Sequence, residues 1–323
     1  MNVPVFSSAA LASRDVGRAL RERGGFLLSP SIDGRRWAEA VEAAHEFFAL
    51  PAAVKATMAI ERSPHFRGWS EMHNERDWRE QIHFGRELSA AGDEPTLPTF
   101  LRLEGPNLWP PDGRWRAVIT AYLDAVAELG ERLLACVAAD LGLPASPFAG
   151  VSRSGYVLLK LIGYHPQSSA ETPRPGVAAH VDFSWITITL QDSPGLQVLP
   201  PGGSWVQVEA VPGSLWVHPG ELLQVASGGA YPATPHRVIN RSLDRTRVSL
   251  PLFLNPPLTG WVGPLVPVAE GARLEETTET SHVHRVLPSP ASTEPFVFGE
   301  AEWRRKGRNG WCHACSPPSV ELP

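Results

Sequence analysis

Two periodicities divide this chain. From Arg35 to Leu50 the apolar positions Trp37, Val41, Ala44, Phe47 and Phe48 recur at helical spacing until Pro51 breaks the run. A longer stripe, Trp115, Val118, Ile119, Tyr122, Val126, Leu129, Leu133 and Val137, predicts a second helix, capped by Asp112 and stopped at Gly142 with Pro144 beyond. Both stripes read as core packing. Ahead of them, Pro4-Val5-Phe6 and Phe26-Leu27-Leu28 read as short strands around a helix that Ser13 caps and Gly24-Gly25 ends. Residues 61 to 100 carry little periodicity and have the texture of a long ordered loop.

After Ser152 the period shortens to two. Tyr156 to Ile162 is strand-like, and further strands are expected at about 177–191, 196–199, 205–208, 214–218, 222–225, 235–239 and 246–254, separated by Gly and Pro turns. Short strands at this spacing mean a sandwich or a barrel. The 32 prolines and 28 glycines suit such a loop-rich fold.

Composition narrows the function. Hydrophobic residues at 43% and charged residues at 20% indicate a soluble globular chain, and a net charge of −5 leaves no basic footprint for nucleic acid. The first residues lack a basic segment followed by an apolar run, and no apolar stretch approaches a membrane span, so a cytoplasmic location and no membrane partner are the expectation. Cys136 falls on the apolar side of a helix. Cys312 and Cys315 flank His313 as a lone pair near the C-terminus, read as incidental thiols rather than zinc ligands.

The candidate chemistry lies in the β-rich half. His180 and Asp182 are two apart, which on a strand places both on one face. With His236 they would make a two-His, one-carboxylate face able to hold Fe(II) while leaving the opposite face open. Arg247 and Ser249, also two apart, could clamp a carboxylate from a following strand. An H-x-D triplet alone is common on protein surfaces, so the surrounding text matters.

That text contains Thr187, Gln191-Asp192, Gly195-Leu196-Gln197-Val198, Pro212-Gly213, His236-Arg237-Val238 and Arg247-Val248-Ser249 in order after His180-Val181-Asp182. The order resembles the isopenicillin N synthase-like branch of the Fe(II)/2-oxoglutarate-dependent oxygenases. Gly105-Pro106-Asn107 with Trp109-Pro110, and Asp77-Trp78-Arg79-Glu80 before Gly85, extend the resemblance into the first half. Glu221 stands where the family usually has Asp.

The resemblance implies an α+β, mainly β fold: a double-stranded β-helix (jelly roll) core with flanking N-terminal helices. Residues 1–150 would form an N-terminal mixed region, 151–260 the core and 261–323 a C-terminal extension, together one compact unit. It also implies Fe(II) on His180, Asp182 and His236, with 2-oxoglutarate and O2 as co-substrates and Arg247 and Ser249 on the far carboxylate of 2-oxoglutarate. The implied reaction is oxidation of a C–H bond of a small-molecule substrate, hydroxylation first, with desaturation and cyclisation open. An intact Asp182 points away from halogenation, since related halogenases lack that carboxylate.

Two alternatives stay open: an iron oxidase of the isopenicillin N synthase type that does not use 2-oxoglutarate, and a non-catalytic jelly-roll binding module. The family often has Asn-x-Tyr-Pro before the H-x-D, whereas this chain reads Gly163-Tyr164-His165-Pro166. Alternation with Lys160 and Ile162 favours Tyr164 facing the co-substrate, with His165 at the surface. Family position nominates Phe66, Arg67, Trp78, Arg79, Phe84, Arg86, Phe183 and Trp185 toward substrate, the arginines as partners for a substrate carboxylate. Against this, Asp77, Arg79 and Glu80 could be a structural salt-bridge cluster. His218 is expected to face the barrel without being a ligand.

Overall fold

The computed structural model describes residues 3–8, 11–29, 34–90, 92, 96–168, 175–268 and 295–308. The N-terminal third runs β1 (Val5–Ser7), α1 (Ser13–Arg23), β2 (Phe26–Ser29), α2 (Gly34–Ala49), α3 (Ala52–Ala56), β3 (Gly68–His73) and β4 (Trp78–Phe84), then the long α4 (Gly113–Asp140) and short α5 (Val151–Ser154). The strands β5 (Val157–Tyr164), β6 (Pro175–His180), β7 (Ile186–Gln191), β8 (Leu196–Val198), β9 (Val206–Gln207) and β10 (Leu215–Pro219) follow. Then come α6 (Glu221–Ala226), β11 (His236–Ile239), β12 (Arg247–Leu254), β13 (Trp261–Val262), β14 (Phe296–Val297) and α7 (Phe298–Arg308).

An eight-stranded sheet, ordered β1-β2-β10-β7-β12-β5-β4-β3, faces a four-stranded sheet, ordered β6-β11-β8-β9. The architecture is a jelly roll with helices on one side. The large sheet is buried on both faces, and period-two alternation sorts its residues between them. On β12, Val248, Leu250, Leu252 and Leu254 join the outer core with Ile119, Tyr122 and Val126 of α4. Arg247, Ser249, Pro251 and Phe253 of the same strand face a cavity between the sheets. β7 divides likewise, with Ile186, Ile188 and Leu190 outward and Thr187 and Thr189 inward. Trp37 of α2 stands edge-on to Tyr122 of α4 at 5.2 Å, and Phe47 to Trp115 at 5.8 Å, so the helical stripes are core packing. Each such side chain contributes roughly 1.5–3 kcal/mol by leaving water.

The strands of the first third belong to the same large sheet. β2 pairs with β10, and the β3–β4 hairpin extends it beyond β5, so residues 61 to 100 contain a strand pair rather than the long ordered loop expected from their weak periodicity. The expected strand over 177–191 is two strands in different sheets, with a turn between that carries Asp182. Residues 222–225 are helical, in α6, because an apolar run this short fits either period. Ser13 is the first helical residue rather than the cap, which is Ala12. Asp112 does cap α4, accepting from the Arg114 amide at 2.9 Å. Cys136 packs partly buried against the core. Cys312, His313, Cys315 and most of the expected C-terminal extension lie outside the described residues. No described helix is long and apolar enough to cross a membrane.

α2 lies so close to β5 that a Cβ on Gly163 would meet the Phe48 ring at 2.7 Å. A side chain there overpacks the helix–sheet interface. Gly163→Ala is expected to destabilise the fold by about 1–3 kcal/mol, read as a lower urea midpoint with an unchanged slope.

Candidate metal centre and its cavity

His236 opens β11 directly opposite His180, the last residue of β6, so the two imidazoles are cross-strand neighbours with ring centroids 4.2 Å apart. His180 Nδ1 donates to the Ala178 carbonyl at 2.9 Å and His236 Nδ1 to the Thr234 carbonyl at 3.0 Å. With Nδ1 engaged as a donor, Nε2 of each ring is the nitrogen left to act as a metal ligand. Asp182 lies just past the end of β6, not on the strand as the two-residue spacing suggested. Its position is set by a turn: the Glu221 amide donates to its carbonyl at 2.8 Å, and the Leu222 amide to that of Ser184 at 3.1 Å. Asp182 Oδ1 comes to 3.5 Å from His180 Nε2, and Oδ2 to 3.6 Å from His236 Nε2.

The three side chains offer one ligand atom each, all within 4.8 Å of one another. Two imidazole nitrogens and one carboxylate oxygen suit Fe(II), with room left on the open face. Oδ2 is restrained by Thr187 Oγ1, which donates at 2.7 Å, and His218 Nε2, which donates at 2.9 Å, leaving Oδ1 free. Burial opposes charge on Asp182, but His236, His180 and His218 outweigh it and hold the carboxyl well below the usual range. Burial pushes His236 down to about 3, against the pull of Asp182. At neutral pH the site therefore pairs an ionised carboxylate with a neutral imidazole, the forms a divalent cation needs.

Arg247 opens β12 opposite Tyr164 and is fully buried, its guanidinium 4.9 Å from the Tyr164 ring centroid. Nε donates to the Ser193 and Pro194 carbonyls, both at 3.1 Å, and Nη2 to Gln191 Oε1 at 2.7 Å. Nη1 is buried without a hydrogen-bond partner. Gly195, at φ +153°, makes this grip possible, since a Cβ there would stand 2.7 Å from Arg247 Nε. Asp192 anchors the loop, accepting from the Val248 amide at 3.0 Å and from His45 Nε2 at 2.9 Å.

Tyr164 lines the cavity with Ile162 and Lys160, whereas His165 points the other way and meets Glu80 at 2.8 Å. The cavity holds about 610 Å³. His180, Asp182, His236, Arg247, Ser249 and Tyr164 all line it, as do Arg79 and Phe183 among the residues expected to face substrate.

The other six substrate candidates do not line the cavity, and the expectation for them is corrected. Phe66 is buried against Trp303 at 5.9 Å, Phe84 stacks on Trp109 at 4.6 Å, and Trp185 packs on Phe148 at 5.4 Å. Arg67 donates to the Leu103 carbonyl at 3.1 Å and the Tyr156 hydroxyl at 3.2 Å. Arg86 holds the carbonyls of Arg153 and Gly155 at 2.7 and 2.6 Å. Trp78 stacks on His73 at 4.5 Å. For all but Trp78, whose printed partner is the exposed His73 ring, the side chain is taken up by core or backbone contacts that sequence position does not reveal.

The supposed acidic–basic cluster also divides. Arg79 stays near Asp77 at 3.5 Å, while Glu80 points to the opposite face and pairs with Lys55 at 2.7 Å. His218, expected only to face the barrel, reaches the metal-site carboxylate. Alternation on β10 with inward Trp216 was the signal available for it. Glu302 and Arg305 of α7 also line the cavity, a contribution no local pattern announces.

Residues 151–256 match the 2OG-Fe(II) oxygenase superfamily, and residues 5–112 match the domain described as non-haem dioxygenase in morphine synthesis N-terminal. The chain is 33% identical to the 2-oxoglutarate-Fe(II) type oxidoreductase hxnY of Emericella nidulans over 67% of its own length and 65% of that protein's. It thus spans about two thirds of that relative. It is also 33% identical to gibberellin 3-beta-dioxygenase 1 of Oryza sativa subsp. japonica, over 80% of this chain and 68% of the relative. The crystal structure of a full-length Neurospora crassa protein in complex with alpha-KG superposes with a TM-score of 0.74 at 21% identity, covering 95% of this chain and 96% of that one, which establishes the shared fold. The chain belongs to the Fe(II)/2-oxoglutarate-dependent oxygenase superfamily.

Removing a partner that orients a metal-binding carboxylate weakens the metal. His218→Ala is expected to lower Fe(II) affinity about 10- to 100-fold in competition with a chelator, with the folded far-ultraviolet spectrum retained.

Proposed function

We propose that this chain is an Fe(II)/2-oxoglutarate-dependent dioxygenase that hydroxylates a C–H bond of a free small molecule. The observation that carries the reading is Arg247. A buried guanidinium with Nε and Nη2 satisfied and Nη1 unpartnered, in the same cavity as the His180, Asp182 and His236 donors, calls for an anion. The far carboxylate of 2-oxoglutarate meets that need, with the Ser249 hydroxyl beside it. When bound, the iron with 2-oxoglutarate and O2 supplies the oxidation, 2-oxoglutarate leaving as succinate and CO2.

The protein's own residues do the positioning. His180, Asp182 and His236 hold the metal, and Thr187 and His218 fix the carboxylate so that Oδ1 presents to it. The Tyr164 ring packs against the guanidinium and keeps it aimed along the cavity. Phe183, Pro251 and Phe253 supply apolar wall that limits water around the substrate.

Anaerobic addition of Fe(II) and then 2-oxoglutarate to metal-free protein is expected to produce a weak visible charge-transfer band. Asp182→Ala is expected to abolish iron binding. Arg247→Met is expected to keep iron but weaken 2-oxoglutarate at least about 100-fold. Undiminished 2-oxoglutarate affinity in Arg247→Met would remove the clamp from this assignment. Iron binding in the unaltered protein without the band would favour an oxidase that does not use 2-oxoglutarate.

A further inference from the structure

β5 places three side chains in a row on the cavity face: Tyr164, Ile162 and Lys160. Tyr164 stands opposite Arg247. Lys160 is four residues back along the strand, roughly 13 Å away at the usual rise. It is therefore too far along the wall to share the group that Arg247 holds.

The Lys160 ammonium makes no hydrogen bond or ion pair among the described residues. Its contact is the face of Phe253, with Nζ 5.0 Å from the ring centroid. Lys160 is half-buried, and the two fully buried lysines differ from it. Lys55 is bound to Glu80 at 2.7 Å, and Lys306 has Glu302 at 3.6 Å.

Arg79, on the neighbouring strand β4, is also underused. Its nearest carboxylate oxygen, on Asp77, is 3.5 Å away, and its buried Nε has no partner. Glu302 of α7, which lines the same chamber, is already engaged by a two-bond fork from Arg305, both bonds at 2.7 Å. Three carboxylates, Asp77, Asp182 and Glu302, line the same chamber, but Asp182 is bonded to Thr187 and His218 and Glu302 to Arg305. Lys160 and the Arg79 Nε are thus left with hydrogen-bonding capacity that these acids do not take up.

We propose that Lys160 and Arg79 form a second anion site, and that the substrate is a small organic acid whose carboxylate they bind while its apolar body lies against Phe183 and Phe253. The proposal rests on the oxygenase reading above and names the substrate class for it. Burial, then the charges of Arg79, Lys306 and Arg305, push the Lys160 ammonium well below its ordinary range against the pull of Asp182, and an arriving carboxylate would relieve that. A half-buried cation that lines a cavity without a hydrogen bond or ion pair points to a ligand that completes the pair.

The test uses the full chain loaded anaerobically with Fe(II) and saturating 2-oxoglutarate. Phenylacetate, 3-phenylpropanoate, cyclohexanecarboxylate and hexanoate are each titrated calorimetrically beside their primary amides. At least one acid is expected to bind about 10- to 100-fold more tightly than its amide. Lys160→Met should bring that ratio near one, and Arg79→Gln should reduce it, with 2-oxoglutarate affinity unchanged in both. Lys160→Met should also melt at or above the temperature of the unaltered protein, since it removes an unpaired charge; Lys160→Gln is the second variant should Met disturb packing.

Binding of no acid, equal binding of acids and amides, or an acid preference that survives Lys160→Met and Lys160→Gln overturns the proposal. A preference that survives these changes but disappears in Arg247→Met would place the acid on the co-substrate clamp instead. Failure of the oxygenase reading is seen separately, as absence of the 2-oxoglutarate band in the unaltered protein before any acid is added.

Discussion

The Asp182 carboxylate is ionised where almost no water reaches it, and the surrounding structure is arranged around that charge. A buried carboxylate is tolerated only when hydrogen bonds and opposite charge replace its hydration. Thr187 and His218 provide the bonds, from two strands of the large sheet, to one oxygen. The other oxygen faces the imidazole of His180, with His236 close by. A divalent cation at that point converts a crowded cluster of donors into a satisfied one. The amides of α6 that hold the turn at Asp182 and Ser184 serve the same end, because the carboxylate is not on a strand and has no ladder to hold it.

The same logic applies with reversed sign at Arg247 and Lys160. Arg247 has its Nε and Nη2 fixed by backbone carbonyls and Gln191, so that Nη1 is aimed and pre-organised. Lys160 is held against an aromatic face and keeps its hydrogen-bonding capacity unspent. Arg247, on β12 opposite Tyr164, and Lys160, four residues before Tyr164 on β5, stand well apart along the cavity wall, which suits a cavity that takes one anion at each end.

These polar groups can be inside because the large sheet has a second buried face. Its outward residues pack against α1, α2 and α4 and carry the stabilising apolar area, which frees the inward positions for chemistry. Gly163 marks how closely the helical layer is seated, and Gly195 how closely the Arg247 loop approaches. A shift in either layer would move side chains on the cavity wall by distances that matter for a metal site.

Local pattern determined a good deal about this protein. The spacing of His180, Asp182, His236, Arg247 and Ser249, with the motifs between them, was enough to name the family and the candidate donors. Period-two alternation correctly put Tyr164 rather than His165 on the cavity side, and helical stripes located α2 and α4 as core. Local pattern failed where a residue's partner is distant in the chain. It could not separate Arg79, which lines the cavity, from Arg67 and Arg86, which are consumed by carbonyls on other segments. Nor could it show that the strand expected over 177–191 breaks between two sheets, that His218 reaches Asp182, or that α7 brings Glu302 and Arg305 to the cavity. The physical reason is that periodicity reports which face a side chain takes, whereas its charge partners and its access to a cavity depend on which elements pack opposite it, and only the tertiary structure decides that.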